Sequence, residues 1–309
     1  MKKTSKIYVA GHTGLVGSAI KRKLKELSYA RVITKTHKEL DLASKKNVES
    51  FFLKEKPEFV FLAAAKVGGI HANKTFPAEF IYQNLMIQAN VIDAAFKYKA
   101  KKLLFLSSSC VYPKKCRQPM KEEYLMTDVL EPTNEPYGLA KLAGMGMCQS
   151  YNKQYGTNFI CAIPANTYGI NDNFSSHGHV LASLIRKFHI AKVKSQKCVE
   201  LWGTGKPKRD FLFADNLAEA CILLMKKYKG NEVINIGSGK DTSIKELAQV
   251  IKKVTGYKGD LFFDRTKPDG NPQRSLDGEK MKVFGWEPTT SLEEGIKKTY
   301  LWYKKVQKK

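Results

Sequence analysis

Short apolar runs alternate with amphipathic segments through the first half of the chain. Uninterrupted apolar runs predict buried strands, and apolar residues that recur every three or four positions predict helices packed on one face. The predicted strands cover residues 7–10, 31–34, 58–62, 103–106 and 159–163, and the predicted helices cover residues 18–27, 45–54, 84–99 and 137–155. This alternation predicts the α/β class, with a doubly wound parallel sheet covered by helices on both faces.

The pattern is less regular after residue 169. Residues 170–199 are mixed, and the later elements are a predicted strand at 233–237, helices at 243–255 and 292–303, and a loop at 264–271. No repeat or long linker separates two modules. We therefore expect a first domain of residues 1–169 with a returning segment at about 207–237, and a smaller C-terminal α/β lobe of residues 170–206 and 238–309.

Three glycines follow the first predicted strand in the pattern G-x-x-G-x-x-G. Glycine lets the backbone turn tightly and approach a pyrophosphate, whose charge is favoured by the N-terminus of the next helix. An ordinary strand-to-helix turn is the alternative, but the position at the start of a Rossmann-like unit favours a dinucleotide site. The residues expected to line it are Gly11, His12, Thr13, Gly14, Leu15, Val16 and Gly17.

The residues after the second predicted strand bear on the choice of coenzyme. Sites that select NAD usually place an acidic residue here to bind the ribose hydroxyls. This chain has Lys35, Thr36, His37 and Lys38 instead. The basic set suits a 2′-phosphate, so NADP is favoured over NAD, and solvated loop lysines are the alternative.

Candidate chemistry begins where the fourth predicted strand ends. Ligands of doubly wound sheets lie beyond the carboxyl ends of the strands, and the run from Ser107 to Cys110 stands at this point. Farther along, Tyr137 and Lys141 are one helical turn apart and so share a face. An ammonium beside a phenol would lower the pKa of the phenol and suit it to proton transfer at a carbonyl oxygen.

Composition limits the choice of partners. The 53 basic and 29 acidic residues give a net charge of +24, but the lysines are scattered along the chain, which indicates a solvated surface rather than a nucleic-acid or membrane site. Six cysteines form no C-x-x-C pair and no zinc-type spacing with histidine, so we expect no metal and a reducing, cytoplasmic compartment. No apolar run approaches the length of a membrane span.

The glycine pattern, the serine-bearing strand end and the Y-x-x-x-K spacing together resemble the extended short-chain dehydrogenase/reductase superfamily. Longer strings at residues 63–70, 80–84, 108–113, 131–137 and 267–270 closely resemble the GDP-L-fucose synthase family over nearly the whole chain. That resemblance implies an NADPH-dependent 3,5-epimerase and 4-reductase of GDP-4-keto-6-deoxymannose. It also implies that the first domain binds NADP, that the lobe binds the GDP-sugar, and that the helices at 84–99 and 137–155 form a homodimer.

The resemblance also implies roles for individual residues. Ser108 and Tyr137 would bind the C4 carbonyl oxygen, Tyr137 would donate the proton, and Lys141 would bind the nicotinamide ribose. Cys110 and His179 would carry out epimerisation; a small buried thiol and a polar loop residue are the alternatives. Further cofactor contacts are expected at Leu106, Ser107, Pro164, Asn166, Thr167 and His179. Substrate contacts are expected at Lys187, Trp202, Arg209 and Asp269.

Two features leave alternatives open. Thr13 stands where the family usually has an arginine for the 2′-phosphate, and the loop before His179 is one residue shorter than the family pattern. A C4-reductase of a GDP-4-keto-heptose, with epimerisation by a separate enzyme, is therefore the second functional hypothesis. A non-catalytic Rossmann protein is the third, and an ion pair with Asp210 is the alternative role for Arg209.

Overall fold

The computed structural model of the protein describes residues 1–175 and 178–307. Its strands are β1 Lys6–Ala10, β2 Arg31–Ile33, β3 Phe59–Leu62, β4 Lys102–Leu106, β5 Phe159–Pro164, β6 Asn166–Tyr168, β7 Cys198–Trp202, β8 Lys208–Phe213, β9 Ile234–Ile236, β10 Asp241–Ser243, β11 Asp260–Asp264 and β12 Gln273–Arg274. Its α-helices are α1 Leu15–Glu26, α2 Lys45–Glu55, α3 Ile70–Thr75, α4 Pro77–Lys97, α5 Glu135–Tyr155, α6 Val180–Val193, α7 Ala214–Lys227, α8 Ile244–Thr255, α9 Glu279–Val283 and α10 Leu292–Gln307.

The central sheet has six parallel strands in the order β2-β1-β3-β4-β5-β9. Every residue of β3 and β4 is buried, as expected of strands covered by helices on both faces. The chain leaves β1 for β2 on one side and then returns to β3 on the other, which makes the gap between β1 and β3 the topological switch point. The predicted α/β class and doubly wound parallel sheet are confirmed.

Several helices differ from the sequence expectation, and α7 is among those that have no predicted counterpart. Helix α4 begins at Pro77 instead of residue 84, because proline is well suited to the first turn of a helix. Helix α6 lies in the stretch that was described only as mixed; its buried residues include Leu181, Leu184 and Phe188, at the spacing of a one-sided apolar face. The predicted helix at 243–255 begins after Ser243, whose hydroxyl and the Glu246 carboxylate form a capping box.

Apolar side chains form two separate buried clusters. The first covers both faces of the central sheet, and the second packs α6, α8 and α10 against β7 and β8. Leu276, Met281 and Trp286 come from the late part of the chain yet belong to the first cluster. In residues 1–175 and 178–307, no helix is both long enough and apolar enough to cross a bilayer.

Candidate active site

The glycine loop lies at the switch point. Gly11 has a φ of +82°, and a Cβ there would come within 2.7 Å of the Ala64 amide nitrogen at the end of β3. A Cβ on Gly17 would overlap the carbonyl oxygen of Gly11. No side chain caps helix α1 and no acidic residue lies in its first turn, so its N-terminal amides remain suited to an anion. The glycine loop and the N-terminus of α1 together therefore fit a dinucleotide pyrophosphate.

His12 connects this loop with the end of β2. Its Nδ1 is buried and has no hydrogen-bond partner in the described part of the chain. Burial lowers the pKa of His12, the nearby Lys21 lowers it further, and Glu39 and the backbone of Lys35 oppose the shift. The imidazole thus lies beside the loop that was expected to choose the coenzyme.

The loop after β2 contains acidic side chains next to the basic set expected from the sequence. Glu39 accepts hydrogen bonds of 2.8 Å from both the amide and the hydroxyl of Thr36, and it lies 3.5 Å from Lys35 Nζ. His37 is exposed and 3.9 Å from the Asp41 carboxylate. Glu39 does not follow the strand directly, so the sequence motif does not indicate it. The turn brings this carboxylate, four residues after Lys35, back to the lysine ammonium.

The serine-bearing strand end forms a tight turn over the start of α5. The segment Ser109–Val111 is a 3₁₀ turn, and the Cys110 amide donates to Ser108 Oγ at 3.4 Å. Helix α5 comes close to this turn at Gly138, where a Cβ would be 3.1 Å from the Cys110 carbonyl oxygen. The adjacent Ser107 is buried, and its Oγ has no hydrogen-bond partner among the described residues.

Tyr137 and Lys141 share one face of α5, as their spacing predicts. Lys141 Nζ donates a hydrogen bond of 2.9 Å to the Leu106 carbonyl oxygen and lies 5.8 Å from the centroid of the Tyr137 ring. The lysine is only 3% exposed, and burial lowers its pKa to about 7. The structure therefore brings Ser108, Cys110, Tyr137 and Lys141 to the carboxyl end of β4.

The electrostatics of the phenol differ from the sequence expectation. Burial raises the pKa of Tyr137, the charge of Cys110 raises it further, and a hydrogen bond with Ser108 opposes the increase. Lys141 was expected to lower this pKa, but it does not contribute to the shift. Because burial lowers the pKa of Lys141 to about 7, this lysine is largely uncharged at the alkaline pH where a buried phenol titrates.

His179 lies in a separate part of the site, immediately before α6. Its Nδ1 is 3.8 Å from Asp172 Oδ1, and hydrogen bonding to Asp172 raises the pKa of His179. Asp172 is fixed in turn by the amide of Asn173, which donates to it at 2.7 Å. Within residues 1–175 and 178–307, no hydrogen bond or ion pair joins His179 to Ser108 or Tyr137.

The expected cofactor residues after β5 are bonded to the protein. Asn166 Nδ2 donates to the Asp210 carbonyl oxygen at 3.1 Å, and Thr167 Oγ1 donates to Ala165 at 3.0 Å. Pro164 is the last residue of β5 and is half-buried. The first of these contacts connects β6 to β8.

The expected substrate residues lie around the ends of β7 and β8. Arg209 Nη1 donates at 2.7 Å to the carbonyl oxygens of Lys208 and Asn271, whereas Asp210 is buried and accepts from the Ser238 amide at 2.9 Å. Among the described residues, therefore, no ion pair joins Arg209 to Asp210, the alternative role for Arg209. Burial, followed by the charge of Arg274, lowers the pKa of Arg209.

Asp269 holds the loop beside these strands. Its two carboxylate oxygens accept from the amide and the hydroxyl of Thr204, at 2.9 and 2.6 Å. The indole of Trp202 is 65% exposed at the end of β7. Lys187 is on the exposed side of α6, and its ammonium donates to the carbonyl oxygen of Glu200.

Two residues near the thiol were missed by the sequence analysis. Arg274, on β12 in register with Arg209, donates to the Ser109 carbonyl oxygen at 2.8 Å. Asn134 Nδ2 donates to Cys110 Sγ at 3.1 Å. No local pattern indicates the first contact, because 165 positions separate Arg274 from Ser109. The second could have been suspected from the position of an asparagine just before the helix with Tyr137.

A dinucleotide cradle at the switch point, next to a tyrosine, a lysine and a serine at one strand end, defines a short-chain dehydrogenase/reductase type of enzyme. The model of the NAD dependent epimerase/dehydratase family matches residues 7–237. The chain belongs to this family.

Curated relatives identify a narrower group within this family. GDP-L-fucose synthase 1 of Arabidopsis thaliana is 54% identical, with 98% of this chain and 94% of the relative covered. GDP-L-fucose synthase of Escherichia coli is 47% identical, with 96% of each covered. The solved GDP-mannoheptose C4 reductase of Campylobacter jejuni with NADP bound is 42% identical, with a TM-score of 0.92 over 98% of this chain and 99% of that one. The resemblance to GDP-L-fucose synthases is confirmed.

Proposed function

We propose that the chain reduces the C4 ketone of a GDP-4-keto-6-deoxy-hexose with NADPH, after epimerisation at C3 and C5, and gives GDP-L-fucose or a close relative. The identity of 54% and 47% with two GDP-L-fucose synthases supports this function. The observation that carries it is the convergence of Ser108, Cys110 and Tyr137 on one turn at the end of β4. A reductase needs the tyrosine, and an epimerase needs a base beside the same ketone.

The residues present fit a nicotinamide dinucleotide. The glycine loop suits its pyrophosphate, and the buried, unpartnered atoms His12 Nδ1 and Ser107 Oγ have hydrogen-bonding capacity left for it. Lys141 and the residues Pro164, Asn166 and Thr167 would hold the nicotinamide half. When bound, NADPH supplies the hydride. We propose NADPH over NADH, supported by Lys35 near His12 and by the NADP-bound relative.

The reductive step needs a proton donor at the C4 oxygen. Ser108 and Tyr137 are hydrogen-bonded to each other and can both direct hydroxyl groups at this oxygen. The raised pKa of Tyr137 keeps its phenol protonated at neutral pH, which suits a donor that releases its proton only as the alkoxide forms. Lys141 is anchored to Leu106 and fixes the helix face on which the tyrosine stands.

The epimerisation step needs a base and an acid on opposite faces of the sugar. A C4 ketone acidifies the hydrogens on C3 and C5, so a Cys110 thiolate can take a proton while the electron pair moves onto the ketone oxygen. His179 can return a proton to the carbon, and its raised pKa favours the imidazolium that this requires. The Asp172 carboxylate stabilises that charge.

The GDP group would bind at the ends of β7 and β8. Arg209 and Arg274 are paired across β8 and β12, and two adjacent guanidinium groups suit two adjacent phosphates. Exposed Trp202 offers a stacking surface, while Lys187 and Asp269 complete the expected set. Asp269 lies at the edge of this surface, where Thr204 holds its carboxylate.

The deciding experiment supplies GDP-4-keto-6-deoxymannose and NADPH in deuterated water. We expect NADPH oxidation together with deuterium at C3 and C5 of the product. The Tyr137→Phe variant should lose NADPH oxidation by about 100-fold or more, because a positioned proton donor contributes that much, and should keep deuterium exchange. Oxidation without deuterium would remove the epimerase activity. Absence of oxidation in the unaltered protein would remove the whole proposal.

A second candidate is the C4 reduction of a GDP-4-keto-heptose, with epimerisation by a separate enzyme. It is supported by the 42% identity with a GDP-mannoheptose C4 reductase. Turnover of hexose and heptose ketones under the same conditions distinguishes the two. A strong preference for the hexose removes the heptose hypothesis.

We also propose a homodimer through α4 and α5, supported by the exposed apolar side chains of Tyr82, Leu139 and Tyr155 on these helices. Residues 1–169 and 207–237 would form the NADP domain, with the remainder as the GDP-sugar lobe, although Leu276, Met281 and Trp286 pack with the first domain. A reducing, cytoplasmic location is supported by six free cysteines. Sedimentation analysis tests the dimer.

A further inference from the structure

The side chain of Asn134 contacts the sulfur of Cys110 instead of capping its own helix. Asn134 is the N-cap residue of α5, a position where asparagine normally accepts a hydrogen bond from a backbone amide of the first turn. Here no such hydrogen bond forms, and Nδ2 donates to Cys110 Sγ at 3.1 Å. A side chain that forgoes its usual stabilising contact indicates a functional constraint.

Hydrogen bonds of the main chain fix the positions of both Asn134 and Cys110. The Asn134 amide donates to Glu131 O at 3.1 Å, and its carbonyl accepts from the Gly138 amide at 3.0 Å. On the other side, the Cys110 amide is bonded to Ser108, and Arg274 holds the Ser109 carbonyl oxygen. The contact is therefore built from two fixed segments of chain.

The oxygen of the Asn134 side-chain amide belongs to no hydrogen-bond network among the described residues. The orientation of this side chain is therefore not set by such a network. Asn134 Oδ1 is buried and has no hydrogen-bond partner in the described part of the chain. A buried amide with an unsatisfied oxygen costs free energy, so its nitrogen contact is expected to have a compensating role. The sulfur is the acceptor that this nitrogen reaches.

We propose that Asn134 is a positioning residue for epimerisation, which aims the Cys110 sulfur at the sugar and stabilises its thiolate by donating an N–H bond. This inference rests on the proposed function. In the abstraction step the carbon-bound proton moves to Sγ, the C–H electron pair becomes the enolate of the C4 ketone, and the amide proton stays on Nδ2. A hydrogen bond to the charged form of an acid favours that form.

The test uses Asn134→Asp, because an ionised carboxylate has the same shape but accepts only, and aspartate is a good N-cap that keeps α5 folded. Epimerisation is measured as deuterium exchange at C3 and C5 of the 4-keto sugar. Hydride transfer is measured separately, as NADP⁺ reduction by GDP-L-fucose, which needs no epimerisation. Iodoacetamide alkylation of Cys110 against pH, followed on its peptide by mass spectrometry, reports the thiolate without any sugar.

We expect Asn134→Asp to slow deuterium exchange about 10- to 100-fold, the worth of a hydrogen bond to a charged group, and to change NADP⁺ reduction less than about threefold. The midpoint of Cys110 alkylation should move to higher pH. Asn134→Ser, which retains a donor, should lose less exchange than Asn134→Asp. Equal losses in both half-reactions, unchanged exchange, or an unchanged alkylation profile would each overturn the assignment.

The alkylation profile also separates this inference from the function on which it rests. If the unaltered protein turns over neither sugar, the proposed function fails. A shift of the alkylation midpoint in Asn134→Asp would still support the contact with Cys110, and its absence would overturn that contact independently.

Discussion

Lys141 Nζ on α5 donates a hydrogen bond of 2.9 Å to the carbonyl oxygen of Leu106, the last residue of β4. The bond joins the helix that carries Tyr137 to the strand end that carries Ser108. Within the described residues this lysine has no carboxylate partner, and its ammonium lies 4.7 Å from the centroid of the Phe105 ring. A nearly buried cation held by a carbonyl and an aromatic face is expected to lose its proton more readily than a surface lysine.

The first prediction follows from this burial. The pKa of Lys141 falls from its ordinary value of 10.5 to about 7 in the folded protein. Between these values the unfolded chain binds more protons than the folded one, so stability rises with pH. Compared with Lys141→Met, the free energy of unfolding of the unaltered protein should increase from pH 7 to 10, by at most about 1.4 kcal/mol per pH unit.

Urea denaturation at pH 7, 8 and 9 measures this difference. Lys153→Met is the matched control, because Lys153 is exposed on the same helix; its difference from the unaltered protein should not change with pH. Parallel pH dependences for the Lys141→Met variant and the unaltered protein would contradict the prediction.

The second prediction concerns the Asp172–His179 pair. Hydrogen bonding to Asp172 raises the pKa of His179, so the imidazolium persists to higher pH than in a free histidine. Asp172→Asn should therefore move the alkaline limb of the deuterium-exchange profile to lower pH. NADP⁺ reduction by GDP-L-fucose should keep its profile, because proton return to carbon by His179 is not a step of that reaction. An unmoved alkaline limb would show that His179 is not the acid.

The third prediction compares two glycines of the same loop. A Cβ on Gly17 would overlap the Gly11 carbonyl oxygen, whereas a Cβ on Gly14 would be 3.6 Å from it, an ordinary contact. Gly17→Ala should therefore lower the free energy of unfolding by about 1–3 kcal/mol and weaken NADPH binding. Gly14→Ala should lower the free energy of unfolding less than Gly17→Ala, because alanine is only a poorer N-cap residue for α1 than glycine, and any loss of NADPH binding without further destabilisation would come from contact with the coenzyme itself. Thermal denaturation and NADPH fluorescence titration measure both quantities.

Equal stabilities of the two variants would mean that the loop relaxes around Gly17. In that case the close approach of Gly17 to Gly11 would not be the reason for a glycine at this position.

The fourth prediction concerns coenzyme preference. Glu39 lies 3.5 Å from Lys35 and reduces the positive potential around it. Glu39→Gln should raise the ratio of kcat/KM for NADPH to that for NADH by about 3- to 10-fold at low salt, and by less at high salt, as expected for a screened charge. Glu26→Gln, which removes an exposed acid from α1, is the control. An unchanged ratio would mean that the 2′-phosphate does not reach Lys35.

The sequence predicts most strands of the central parallel sheet correctly because periodicity and short motifs are local. The strands around Gly11 and Ser108 are apolar and continuous, so their positions and burial follow from the pattern alone. Helix α6 was missed because it follows an irregular loop without a start signal at His179, which makes no side-chain cap.

The site was less predictable where distant segments meet. The proximity of Tyr137 and Lys141 follows from helical spacing, but the sign of the pKa shift of Tyr137 depends on how much protein surrounds the phenol. The contact of Arg274 with Ser109 depends on the pairing of β12 with β8, which no short string of residues indicates. The sequence therefore predicts which side chains meet at the end of β4 more reliably than it predicts their surroundings.

Helix α5 carries Tyr137, Gly138 and Lys141 in its first two turns, and Asn134 is its N-cap residue. The same helix therefore sets the positions of the Tyr137 phenol and, through Asn134, of the Cys110 thiol. Small movements of the lobes do not change the position of one group relative to the other. Conversion of this scaffold into a simple ketone reductase would accordingly require a change at the sulfur or its amide donor. A change in the helical pitch or the position of α5 would abolish epimerisation and reduction together.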